Sequence, residues 1–425
     1  MGVWGFAAST INAVIGASIF VVPATLAASL GYYAPLALLA CALAIASVAI
    51  CFAEGGSRVP TSGGAYGYIE AAFGPMAGYV AGTVLWFSNL LASSGIAAAL
   101  ADTVVTILPP RWTTLAHAAL IIVVIAGIAL VNLTGAARGA QLINASTLLK
   151  LIPLAVFLIA GASAFHSSKF FQGVTPTATG LGPAVILALF AFTGMEVSVC
   201  ASGEVAQPAR SIPRGLLIAM LVLTLLYVSI QMIAQGMLGS ALAHSAVPLA
   251  DAMAPISPAL RLLMLAGAAL SMFGFISTDM LCSPRILLAL SRDGLLPRVL
   301  GQVNLGTHTP NAAILCHAAL AIVLSLSGSF VELAVLSTLV CATLYIGGCA
   351  AALRLARRGV ALAGVPLNFR WLRTAAFIGI GSMVALIALA SRAEILGMFA
   401  IVALSAVVYL VQTRSARSIA HPPLS

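Results

Sequence analysis

One lysine interrupts the run at 141–161 (QLINASTLLKLIPLAVFLIAG), and at least nine mostly apolar residues follow Lys150 before Lys169, the only other lysine in the chain. An ammonium at the centre of a lipid-embedded helix costs at least about 2.5–3.5 kcal/mol, so such a residue reads first as a functional site. Burial disfavours the charged form, which suits a lysine that exchanges a proton near physiological pH. The competing reading is a side chain that snorkels from the early part of a span to the nearer interface. A second intramembrane charge, Asp279, sits in 271–288 (SMFGFISTDMLCSPRILL) beside Ser277 and Thr278, giving three consecutive oxygen-bearing side chains. Asp279 could pair with Lys150, bind the amine or side chain of a cationic ligand, or carry a proton itself. The bland alternative is local solvation around Arg285.

Two other stretches break the helical pattern. Residues 11–24 read INAVIGASIFVVPA, with Gly16, Ala17 and Ser18 inside an otherwise bulky helix and Pro23 a turn beyond Phe20. Residues 189–196 read LFAFTGME, with Thr193 and Gly194 at the middle. Glycine costs about 1 kcal/mol relative to alanine inside a helix, and unwound backbone at membrane depth is tolerated only where it is buried in protein or lines a cavity. Two breaks about half a chain apart, each opening a set of five spans, point to an inverted-repeat transporter. Half-helix N-termini offer N–H groups to a carboxylate. Unwound carbonyls accept from an ammonium, so a site with both ends suits an α-amino acid. Taken singly, either break could serve only close packing or a kink.

The elements that position these residues follow from composition. Of 425 residues 62% are hydrophobic and 7% charged, far below the roughly 25% charged of soluble domains, so the solvent is lipid. Spanning helices need about 20 apolar residues, and the runs leave room for about twelve. They fall near 3–28, 34–54, 76–106, 114–133, 141–163 and 183–203, then 213–238, 259–290, 310–328, 331–353, 373–391 and 394–412. The fold class is an all-α polytopic membrane protein. With an even number of spans both termini share a side. Connections on that side hold thirteen basic residues, Arg58, Arg138, Arg214, Arg298 and Arg414 among them, against four opposite (Arg111, Lys169, Arg261, Arg392). The positive-inside rule then puts both termini in the cytoplasm, and the net charge of +9 reflects topology, with no nucleic-acid partner. Residues 1–28 lack a basic leader region and read as the first span.

Several chemistries are excluded. The two lysines precede Leu151 and Phe170, so there is no GK[ST] phosphate loop and no ATP-driven transport through this chain. Seven cysteines lie mostly in apolar runs without a CxxC pair, and six histidines are scattered without HExxH. Neither a disulfide framework, a metal site nor a cofactor is expected.

Four segments together resemble the amino acid, polyamine and organocation (APC) transporter superfamily, and the likeness covers nearly the whole chain. Residues 16–23 (GASIFVVP) look like its G-x-G-I-F substrate loop, and 54–78 (EGGSRVPTSGGAYGYIEAAFGPMAG) resembles its E-x-x-S-R-x-P…GG-x-Y-x-Y…FGP-x-x-G signature. Residues 190–213 (FAFTGMEVSVCASGEVAQPARSIP) look like its F-x-G-x-E…GE-x-x-x-P-x-x-x-I-P run, and 291–310 (SRDGLLPRVLGQVNLGTHTP) like its S-R-D-G-x-L-P…TP loop. The resemblance implies twelve spans in a LeuT-like five-plus-five inverted repeat with the first and sixth helices broken. The repeats would be 1–163 and 183–353, with spans 11 and 12 and a cytoplasmic tail in 354–425.

Carried over by residue, the substrate loop maps onto Ile15, Gly16, Ala17, Ser18 and Ile19, and its sixth-span counterpart onto Phe190, Phe192, Thr193 and Gly194. Ser18 stands where the family usually has a second glycine, so the backbone is less open there or the hydroxyl supplies a contact of its own. Asn89 resembles a polar residue that faces the site in antiporter relatives; an interhelical hydrogen bond is an equal reading. In similar members a lysine at the position of Lys150 fills the space that sodium takes in sodium-coupled relatives, and a second cation site lies near Ser277 and Thr278. The resemblance gives Glu196 a gating or helix-tethering role. Trp86, Phe190 and Phe192 could be apolar gates, and Glu204, Arg210, Arg292 and Asp293 could form gate ion pairs, each worth under about 1 kcal/mol.

The expected function is a secondary active amino acid permease of the cytoplasmic (inner) membrane, proton-coupled through Lys150 and Asp279, with membrane lipid as its surroundings. The rivals are an amino acid/amine exchanger, suggested by Asp279, and a sodium symporter, against which a cationic Lys150 argues by charge repulsion. A sensor or a membrane enzyme lacks support, because no nucleophile–base pair is recognisable.

Overall fold

The computed structural model describes residues 2–59, 65–135, 150–172, 176, 178–199, 205, 207–362 and 365–420. Expectations that fall on Arg138, residues 141–149, Cys200 and Glu204 lie outside the described residues. Helices occur in the order α1 Val3–Val14, α2 Ser18–Leu30, α3 Ala34–Arg58, α4 Ala65–Phe73, α5 Pro75–Val105, α6 Thr113–Leu133, α7 Leu151–Ser163 and α8 Ser167–Phe170. They continue as α9 Ala178–Phe190, α10 Met195–Val199, α11 Pro208–Leu238, α12 Pro248–Met253, α13 Pro258–Arg292, α14 Asn311–Ser327, α15 Phe330–Arg357, α16 Leu372–Ala388 and α17 Arg392–Ala420. No strand occurs among the described residues.

Among the described residues eight segments are long and apolar enough to cross a membrane, and four shorter apolar helices (Val3–Val14, Leu151–Ser163, Asn311–Ser327, Leu372–Ala388) join them. The protein is therefore a multi-pass membrane protein. One of the eight, Ser18–Arg58, runs 41 residues, about 60 Å of helix at 1.5 Å per residue, twice the hydrocarbon thickness. A 3₁₀ turn at Gly31–Tyr33 divides it, with Gly31 at φ 53°, where a side chain would be strained. Helix ends follow local sequence. Ser329 and Glu332 form a reciprocal capping box at the start of α15, and Arg354 and Arg357 lie on its last turn, where cations suit the exposed carbonyls.

Two helices form the centre. In the most apolar stretch of α5, 89% is buried, and 72% in α15, against 22% in α6 and 11% in α17. The outer helices stay apolar on their exposed faces, as at Leu396, Phe399, Leu404 and Val407 of α17, which is what a lipid solvent requires. Around α5 pack α13 and α15, while α11 packs on α3 and α1. The broken helices meet crosswise: α2 packs on α9 and α1 on α10. That pairing brings the break at 15–17 against the break at 191–194.

Candidate substrate and coupling site

At the end of α1 the backbone turns extended at Ile15 (φ −72°, ψ 94°), which leaves the last carbonyls of the helix without intrahelical partners. The structure satisfies them one by one. Lys150 Nζ donates to Asn12 O and to Ile15 O, each at 2.7 Å. Tyr227 of α11 donates its hydroxyl to Val14 O at 3.3 Å, and Ser271 of α13 donates to Gly16 O at 2.9 Å. Ala17 O accepts from Phe20 N and Val21 N. Among the described residues the Ala13 carbonyl accepts no hydrogen bond. Lys150 is 3% exposed, so it does not snorkel, and its cationic head sits at the negative end of α1 where the helix dipole favours it.

The second break holds a glycine for a steric reason. Gly194 has φ +116°, and a Cβ there would lie 2.8 Å from Ala13 O, so both its backbone angle and its approach to α1 exclude a side chain. Glu196, buried, folds back on the break and accepts from Gly194 N through both carboxylate oxygens at 3.0 Å. Tyr345 of α15 donates to Glu196 Oε2 at 2.7 Å, and Cys341 Sγ lies 3.8 Å from Oε1. Glu196 is thus hydrogen-bonded to both the sixth-span break and the central helix α15. It also occupies the N–H that a ligand carboxylate would otherwise use.

Asp279 has one partner on another helix and one on its own, and both are held in turn by α5. His317 of α14, fully buried, places Nε2 2.9 Å from Asp279 Oδ2. On the other side of the ring, Trp86 Nε1 donates to His317 Nδ1 at 3.2 Å. An indole N–H can only donate, so Nδ1 accepts, the ring proton resides on Nε2, and that N–H donates to Asp279. Ser283 donates to Asp279 Oδ1, and Asn89 Nδ2 donates to Ser283 Oγ at 3.3 Å. Trp86, one of the candidate gates, is the donor that fixes this tautomer. Among the described residues no ion pair joins Asp279 to Lys150, and Arg285 bonds the Leu281 carbonyl of its own helix rather than Asp279.

Two small cavities of about 20 Å³ each, room for a water molecule or two, flank the breaks. One brings Lys150, Asp279, Thr278 and Asn89 together against Asn12 and Ala13. The other is lined by Gly16, Ala17, Ser18, Asn89, Phe190, Thr193, Gly194 and Glu196. Other expected side chains point away from these cavities. Ile15 and Ile19 are buried in the core, Phe192 packs on Tyr227 with ring centroids 5.3 Å apart, and Ser277 bonds back to Phe273 O. Arg292 and Asp293 are exposed and form no ion pair among the described residues. Phe275, which sequence reasoning passed over, borders both cavities, and a Cβ on Gly16 would meet its Cδ2 at 2.9 Å.

The E-x-x-S-R element forms a clasp at the end of α3. Arg58, 4% exposed, donates to Glu54 Oε1 at 2.7 Å, to Val360 O at 3.0 Å and to Asn368 Oδ1 at 2.6 Å. Phe369 N donates to Glu54 Oε2 and Leu367 N to Ser57 Oγ. The loop between α15 and α16 is thereby fixed to α3.

A polytopic helical bundle whose two broken helices face each other across polar cavities has the build of a membrane transporter. A family model described as amino acid permease matches residues 1–412, and the chain belongs to the amino acid permease family, within the superfamily that the four motifs resemble. It is similar to the branched-chain amino acid permease BcaP of Lactococcus lactis subsp. cremoris (strain MG1363), 26% identical over 79% of this chain and 77% of that protein. It is likewise similar to BcaP of Bacillus subtilis (strain 168), 28% identical over 71% and 69%. An uncharacterized transporter of Mycobacterium tuberculosis (strain ATCC 25618 / H37Rv) is 31% identical over 69% of this chain and 66% of that protein. The family is one of transporters and not of enzymes.

Proposed function

We propose that this protein is a secondary active permease for neutral aliphatic amino acids of the cytoplasmic membrane, working by alternating access and coupled to protons through Lys150. The single observation that carries the reading is the pair of breaks, 15–17 and 191–194, held against each other with unwound backbone on both sides. In this reading the chain has twelve spans with both termini cytoplasmic. Spans 1–5 lie within 1–163, their inverted counterparts within 183–353, and 354–425 adds spans 11 and 12.

The substrate carboxylate docks on the first N–H groups and hydroxyl of α2 at Ser18, because Glu196 already caps the other half-helix. The amine takes the Ala13 carbonyl and the backbone around Thr193. Ala92, Ile96, Phe190 and Phe275 supply an apolar wall for the side chain, in keeping with the branched-chain permeases among the relatives. Because the cavities hold little more than water, loading requires α1 and α10 to part from α7 and α15. Lys150 is the group whose loss of a proton can release α1: neutral, it loses its charge-assisted bonds to the helix. Its ammonium already holds the Asn12 and Ile15 carbonyls, which disfavours sodium there, and Asp279 is engaged by His317 and Ser283, which disfavours a cationic substrate.

The test is uptake of a labelled amino acid panel into proteoliposomes under an imposed proton gradient, a sodium gradient, or internal preloading. Accumulation of branched aliphatic amino acids driven by protons alone is the expected result. Uptake only into preloaded vesicles would make the protein an exchanger, and uptake that follows sodium would overturn the coupling.

A further inference from the structure

Away from the transport site, a groove of about 460 Å³ runs down the outer face of the bundle between α5 and α15. Phe73 of α4, Val80 and Val84 of α5, Leu344 and Gly347 of α15 and Val402 of α17 border it. Its one hydroxyl, on Thr343, is spent on Val340 O at 2.7 Å, so the groove offers nothing to a polar ligand. At the mouth, the Arg354 guanidinium lies over the Phe73 ring, 4.9 Å from its centroid. Arg357 and Arg358, both exposed, follow on the next turn. None of the three has an ion-pair partner among the described residues. The only carboxylate of α4, Glu70, lies against Gly78 of α5, so three cations stand against one acid.

The dimensions identify the occupant. From Arg354 back to Thr343 is eleven residues of α15, about 16 Å of helix. One leaflet of a bilayer with a core of about 30 Å is about 15 Å deep. On α5 the groove spans Met76–Val84, about 12 Å of helix, and Phe73 extends it to the Arg354 guanidinium, so groove and mouth together match the depth of one leaflet, the path of one acyl chain, with cations at the outer end. We propose that it is a binding site for an anionic phospholipid of the arginine-rich leaflet, one chain lying between α5 and α15 and the phosphate resting on Arg354, Arg357 and Arg358. A second copy of the chain fits less well, since a two-fold contact would bring its own arginine cluster to the same rim.

The experiment is native mass spectrometry of the full chain in detergent, titrated separately with phosphatidylglycerol and phosphatidylcholine of identical chains, using the parent protein, Arg354→Gln and Gly347→Leu. Each cation near a phosphate contributes about a fivefold preference. The parent protein should therefore retain phosphatidylglycerol at least about tenfold better than phosphatidylcholine. Arg354→Gln should cut that preference about fivefold, while Gly347→Leu, which fills the groove, should remove the bound lipid of either kind. Equal retention of the two lipids, or a preference unmoved in Arg354→Gln, would overturn the proposal. A dimer that Gly347→Leu turns to monomer would assign the groove to a second copy instead. Because uptake is not the readout, failure here is distinct from failure of the transport reading.

Discussion

Lys150 makes two 2.7 Å bonds to carbonyls that α1 cannot satisfy by itself, and this fixes what its loss should do. Methionine has a similar length and no donor, so Lys150→Met leaves Asn12 O and Ile15 O buried and unpaired. Each such acceptor costs about 1–3 kcal/mol, and the two together about 2–6 kcal/mol, charged entirely to the conformation in which the first-span break is docked on α7. Removing a buried ammonium also returns several kcal/mol of desolvation, so global stability should change less than conformational preference. Since about 5.5 kcal/mol carries a two-state equilibrium from 1:99 to 99:1, a cost at the top of that range makes the docked conformation minor, and one at the bottom lowers its ratio to the undocked state about thirtyfold.

The assay separates coupling from transport. In proteoliposomes, Lys150→Met should lose proton-driven accumulation by at least about tenfold while retaining counterflow exchange of the same amino acid. Lys150→Arg is the companion: it keeps donors and charge but does not release its proton in a protein. It should preserve counterflow and the thermal melt and still fail to accumulate substrate. Proton-driven accumulation at the parental level in Lys150→Arg would refute the reasoning, because a fixed charge would then suffice.

Gly194→Ala should abolish counterflow as well as accumulation, since the new methyl meets Ala13 O at 2.8 Å at a φ of +116°; strain of about 1–3 kcal/mol should appear as a lowered melting temperature, and a normal melt with normal uptake would contradict it. Trp86→Phe removes the donor to His317 Nδ1 and leaves that buried acceptor unpaired, at a cost of about 1–3 kcal/mol that should lower the melting temperature; an unchanged melt would contradict the bond. Asp279→Asn should weaken transport of neutral and cationic amino acids alike in a competition panel, because the carboxylate is committed to His317 and Ser283; a selective loss of cationic substrates would show that it faces the ligand. Glu54→Gln leaves buried Arg58 short of its ion partner, and a loss of about 3–5 kcal/mol should show as a cooperative melt at lower temperature.

What the sequence made legible was whatever is anomalous in place. Gly16 and Gly194 stand out because apolar helices avoid unwinding in lipid, and Lys150 and Asp279 because a charge there must be explained by itself. Partners were less visible. His317 sits in an apolar run 38 residues from Asp279, and a lone histidine there looks like core; only the packing of α14 on α13 and α5 makes it the carboxylate's donor. Trp86 and Phe192 look alike as candidate gates, since helical periodicity reports a face and not a neighbour. One turned out to be bonded to His317 and the other packed on Tyr227. Phe275 was missed for the same reason: an aromatic in an apolar span carries no mark that it borders a cavity.

The carbonyl accounting at 12–17 also constrains how a conformational change can proceed. The ties come from three separate helices: Lys150 at the start of α7, Tyr227 of α11 and Ser271 of α13. Two of them are neutral hydroxyl bonds, worth about 0.5–1.5 kcal/mol each, whereas bonds from a charged donor are worth about 1.5–3 kcal/mol. The lysine therefore contributes most of the attachment, and it is the only tie whose strength a proton can change. Hydroxyl bonds that persist when Lys150 lets go would make α1 swing about α11 and α13 rather than detach, so that its N-terminal end moves furthest. In that motion Ala13, one residue from the Val14 tie, would move little, so the contact with Gly194 would have to open from the side of α10. The weak ties thus act as the pivot and the strong one as the latch, an order that would be reversed if the charged donor stood on α11.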